Sequence, residues 1–93
     1  MWIITKDFGE GGTIHSRVGR GNHSFGEKPD MASVETDARW KFRFRMLGGD
    51  GDLDFEGLST SESFAPLDWA KWDEGCTRID YKPVNGCHSW SQL

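Results

Sequence analysis

Cysteine is nearly missing from this chain of 93 residues: only Cys76 and Cys87 are present. Two thiols cannot build the disulfide lattice that holds small secreted scaffolds, and their scarcity predicts a cytoplasmic protein. No apolar run approaches the roughly 18 residues that cross a bilayer. The opening "MWIITKD" has too short an apolar stretch, and no basic region ahead of it, for a secretory signal, so no membrane association is expected. Catalytic signatures are missing as well. There is no Cys-x-x-Cys or His-x-x-x-His pair, and no serine in an elbow motif. The glycines of "GRGNHSFG" meet neither the dinucleotide fingerprint nor the Walker spacing. A non-enzymatic protein without a cofactor is expected.

What the chain has is aromatic residues and glycine: five Trp, six Phe and 12 Gly. The rings argue against disorder, and the length suits a single domain, residues 1–93, with one modest core. The net charge of −4 is unevenly spread. Residues 1–46 carry eight Lys/Arg against six Asp/Glu, whereas residues 47–93 carry three against nine. An acidic half disfavours duplex nucleic acid and anionic membranes, which select for excess Lys and Arg, and favours a basic protein partner.

The clearest periodicity is "RWKFRFRML". Trp40, Phe42, Phe44 and Met46 alternate with Arg39, Lys41, Arg43 and Arg45, the period of a strand with one buried face. A turn at Gly48-Gly49-Asp50-Gly51 gives a hairpin, 39–47 with 52–58. Met46 then opposes Leu53, Phe44 opposes Phe55, Arg45 opposes Asp54 and Arg43 opposes Glu56. Arg39 and Lys41 extend beyond the matched acids. A second hairpin, 77–83 with 88–92, turns at Asn85-Gly86 and sets Tyr81 opposite Trp90. Cys87 then falls opposite Val84. At about 3.3 Å per residue it lies roughly 26 Å from Cys76, which predicts two free thiols. Residues 66–74 read as a short helix, with Pro66 in its first turn and Gly75 to end it. Trp69 and Trp72 share one of its faces, either as a lid on the sheet or as an exposed pair. The expected fold is therefore α+β, mostly β: a small antiparallel sheet of about four to five strands with one short helix. "MWIIT" supplies an N-terminal strand. A long glycine-rich loop or insertion covers about 7–37, with at most a helical turn at Met31–Val34.

Few residues invite chemistry. Asp50, Asp52 and Asp54 have the spacing that opens a calcium loop, but Phe55 and Ser61 stand where that loop needs glycine and glutamate. His15, His23, His88, Cys76 and Cys87 have no metal-ligand spacing, and His15 and His23 are expected in solvent. No metal site is expected.

The segments "KFRFRMLGGDGDLDFEGLS", "SFAPLDWA" and "GCTRIDY" resemble a family of short uncharacterised bacterial, plasmid and phage proteins. The likeness covers about residues 39–93 and the opening strand. It departs at "LGGDG", where the family pattern carries more acid, and in the longer loop after Asp7. The resemblance implies an accessory protein of mobile elements and carries no catalytic assignment. Together with the acidic half it leads to the expectation of a non-enzymatic protein-interaction domain that binds and modulates a host protein with a basic surface. An inhibitor of a nucleic-acid-handling complex such as a CRISPR effector is one example. The candidate surface is Asp50, Asp52, Glu62, Asp68, Trp69, Trp72, Asp73 and Glu74. The alternative is a single-stranded nucleic-acid module that stacks bases on Trp40, Phe42 and Phe44 and holds phosphates with Arg17, Arg20, Arg39 and Lys41. That role needs those rings exposed.

Overall fold

A computed structural model describes residues 1–9, 17–73, 75–86 and 88–93. In chain order they form β1 (Trp2–Asp7), β2 (Gly21–Asn22), α1 (Met31–Glu35), β3 (Phe42–Gly48), β4 (Leu53–Ser59), α2 (Ala65–Asp73), β5 (Cys76–Pro83) and β6 (Ser91–Gln92). The strands make one antiparallel sheet of six in the order β2-β1-β4-β3-β5-β6. The fold is α+β and mostly β as expected, with six strands where four to five were predicted and two helices where one was. No helix among the described residues is long and apolar enough to cross a membrane.

The central hairpin forms, but two residues out of the expected register. Met46 opposes Phe55, Phe44 opposes Gly57, Arg45 opposes Glu56 and Arg43 opposes Leu58. The slip is even, so from Phe55 onward β4 keeps its expected faces, whereas Leu53, beyond the bulge, opposes Leu47 on the face of Arg43 and Arg45. Its cause lies in ring volume. The Phe44 ring occupies the space where a Cβ on residue 57 would sit, so this ring fits opposite glycine and not opposite Phe55. The turn is correspondingly tight. Gly51 adopts φ +86° and donates its N–H to Gly48 O, while a bulge between Met46 and Leu47 leaves Asp54 as the extra residue.

In the C-terminal pair the error is odd, and here the face changes. Tyr81 opposes Ser91, not Trp90, so Trp90 lies on the other side of the sheet from Tyr81. Tyr81 packs instead with Phe42 and Phe44, and its hydroxyl donates to Ser63 O at 2.7 Å. The alternation also fails at its first member. β3 begins at Phe42, and Trp40 turns to the opposite cluster, donating its indole N–H to Val34 O at 2.7 Å.

Each sheet face thus has its own cover. On one, α2 lays Ala70, Leu67 and Trp69 over Trp2, Ile4, Phe44, Met46, Phe55, Ile79 and Tyr81. Gly75, at φ +70°, ends the helix in the left-handed conformation that glycine tolerates. On the other face Ile3, Leu58, Val34 and Trp40 form a smaller cluster, joined by Phe25 and Met31 from the segment expected to be irregular. That segment is held by backbone pairing: Ile4 N–H donates to Arg20 O and Gly19 N–H to Ile4 O, both at 2.8 Å. Asp30 caps α1 by accepting from the Ala32 N–H. His23, expected in solvent, is half-buried with Nε2 2.6 Å from Gly19 O. His15 and Cys87, and with Cys87 the predicted separation of the two cysteines, lie outside the described residues.

Candidate functional site

Helical geometry decides the fate of the tryptophan pair. Pro66 and Ala70, one turn apart, are both buried and mark the centre of the face that α2 turns to the sheet. At about 100° per residue, Trp69 stays within reach of that face, whereas Trp72 points about 200° away from Ala70. Trp69 accordingly packs against Phe55 and Trp2, with ring centroids 5.4 and 5.7 Å apart. Trp72 is 86% exposed, the most exposed large apolar side chain among the described residues. Beside it an open depression of about 530 Å³ is lined by Leu67, Asp68, Lys71, Gly75, Cys76 and Thr77. The Cys76 thiol is buried and donates to Asp54 Oδ2 at 3.5 Å.

The predicted acidic surface is brought together only in part. Gly48 neighbours Cys76 across β3 and β5, which sets the turn bearing Asp50 and Asp52 at the end of the sheet where the Trp72 depression opens. Both carboxylates are exposed. The Asp52 N–H donates to Asp50, which lowers the Asp50 pKa, and the Asp50 charge raises that of Asp52. Asp68 lies on α2 beside Trp72, 3.7 Å from the Lys71 ammonium. Glu62 is exposed at the opposite end of the helix, away from the others. Glu74 and the Asp73 side chain lie outside the described residues.

The alternative arrangement loses its stacking platforms. Phe44 and Trp40 are buried and Phe42 is half-buried against Tyr81. Two of its four cations are engaged: Arg17 lies 3.8 Å from Asp7, and Arg39 grips Asp37 through two hydrogen bonds of 3.0 and 2.9 Å. That grip pulls the Asp37 pKa down to about 2. Arg20 and Lys41 are exposed. No three His, Cys, Asp or Glu side chains among the described residues are grouped to hold a metal ion.

On the side of the sheet away from α2, sequence reasoning expected Arg45 beside a β4 carboxylate but missed the partners that β1 and β5 supply. Here Lys6, Glu56, Arg45 and Asp80 form a cross-strand row of alternating charge over β1, β4, β3 and β5. Asp80 is fully buried and accepts from Arg45 and Arg78, each Nε at 2.8 Å. Burial alone raises a carboxyl pKa; the two guanidinium groups outweigh it, and Asp80 titrates below its ordinary 3.8. Trp90 stands at the edge of this row, 4.7 Å from the Arg45 guanidinium and 4.6 Å from the Lys82 ammonium, measured to its ring centroid. The alternation of "RIDYK" foretold that Arg78, Asp80 and Lys82 share a face; nothing local foretold that β5 would pair with β3.

No protein-family model, curated protein or solved structure matches the chain.

Proposed function

We propose that this chain is a non-enzymatic protein-interaction domain that docks on a basic surface of a host protein, with Trp72 as its anchor. The carrying observation is the exposure of Trp72 on a helix whose other face is locked into the core. An aromatic side chain held in place by a packed helix loses little conformational freedom on binding, which is why such residues concentrate binding energy. The adjoining depression can receive an apolar group. Asp50, Asp52 and Asp68 around it favour Lys and Arg on the partner and speed encounter at low salt. The partner class that fits is a site built for phosphates, whose cations these carboxylates engage. The resemblance to mobile-element accessory proteins supports a role in modulating a host nucleic-acid-handling complex.

An affinity pull-down from a bacterial lysate at low and at high salt, with captured protein read by mass spectrometry and captured nucleic acid by gel staining, tests the proposal. Retention of a protein at low salt, its loss at high salt and its loss with Trp72→Ala are expected. Retention of nucleic acid alone would overturn it.

A further inference from the structure

Two neighbouring cross-strand rows on the sheet face away from α2 follow opposite rules. The first, Lys6-Glu56-Arg45-Asp80, alternates in sign, so each cation faces a carboxylate. The second reads Ile3-Leu58-Arg43-Lys82: two apolar residues, then two cations directly opposite one another on β3 and β5. Like charges so placed repel. Among the described residues neither Arg43 nor Lys82 has a carboxylate at ion-pair distance, although Lys6, Arg45 and Arg78 in the same region all do. Trp90 holds the Lys82 ammonium by its ring face. Arg43 is exposed.

Between them opens a trough of about 290 Å³ that Arg43, Lys82 and Trp90 line together with Lys6 and with the carboxylates Glu35 and Glu56. Among the described residues, the trough and the charged row beside it bring five cations, Lys6, Arg43, Arg45, Arg78 and Lys82, together with three carboxylates, Glu35, Glu56 and Asp80, in a chain whose net charge is −4. A row that breaks the pairing rule beside one that obeys it is the kind of local departure that functional sites carry.

We propose that Arg43 and Lys82 form a second binding site, distinct from the Trp72 surface, that takes the phosphate group of a ligand lying in this trough. A dianionic phosphate matches two opposed cations better than a single carboxylate does. The Arg43 fork supplies paired N–H donors and Lys82 a mobile point charge. The trough has room for the group that carries the phosphate.

The test is a titration of the ¹⁵N-labelled chain with inorganic phosphate near pH 7.5, against chloride at matched ionic strength. Saturable shifts of the Arg43 amide and the Trp90 indole N–H are expected. In Arg43→Gln and in Lys82→Gln the midpoint should weaken at least tenfold, while Lys28→Gln, distant and exposed, should titrate like the parent. Arg43→Lys keeps the charge and should weaken phosphate less than Arg43→Gln does. Shifts that chloride reproduces, or midpoints unchanged in both glutamine variants, would overturn the site. Its failure would leave the Trp72 proposal untouched, since neither residue belongs to that surface.

Discussion

The two faces of the sheet are closed by different physics. Under α2 the contact is apolar and aromatic: Phe44, Phe55, Met46 and Tyr81 are buried beneath Trp69 and Ala70, and shape sets the register. On the opposite side the end near α1 is apolar, Leu47 pairs with Leu53 at the far end, and the middle is ordered by charge, through Lys6, Glu56, Arg45, Asp80 and Arg78. The difference teaches where stability and where recognition reside. Burial is cooperative and costly to disturb, whereas partly exposed ion pairs contribute little and leave their surroundings available to ligands.

Substitutions can set one face against the other. The largest effect is expected for Phe44→Ala, which empties the volume over Gly57 and costs about 3–5 kcal/mol in urea unfolding. Trp69→Ala, half-buried against Trp2 and Phe55, follows at about 2–3 kcal/mol. If both proved mild, the claim that the α2 face carries stability would fail.

On the charged face, Asp80→Ala removes the acceptor shared by Arg45 and Arg78 and costs about 2 kcal/mol near neutrality; the two arginines are partly exposed and regain water. This loss is pH-dependent with a defined sign. The folded pKa of Asp80 is depressed below 3.8, so its contribution is complete above about pH 5 and disappears as pH falls through the folded value. The stability gap between the parent and Asp80→Ala should therefore close on acidification from pH 5 to 2. Asp37, whose pKa is about 2, titrates in both proteins and cancels in the difference. A gap that widened in acid would contradict the ion-pair account.

How much of this was legible in the sequence follows from the same contrast. Alternation at Phe42, Phe44 and Met46 identified the buried face of β3, and Gly75 marked the end of α2. The register was not legible, because it depends on Phe44 fitting over Gly57, a fact of volume across strands. Trp90 was assigned to the wrong face because one residue of slip inverts a strand. The fates of Trp69 and Trp72 could have been separated from Pro66 and Ala70, which fix the core-facing side of the helix. The cationic trough was out of reach: it joins β1, β3, β4 and β5, and only β3–β4 pairing was visible locally.

The smallest expected change in stability, Trp72→Ala, bears most on function. At 86% exposure its removal should alter unfolding free energy by no more than about 0.5 kcal/mol. The decisive measurement is the affinity of parent and Trp72→Ala for the protein captured at low salt, taken alongside their melting curves. Superimposable melting with a loss of affinity of tenfold or more is the predicted result; equal affinity in the two proteins would contradict the account.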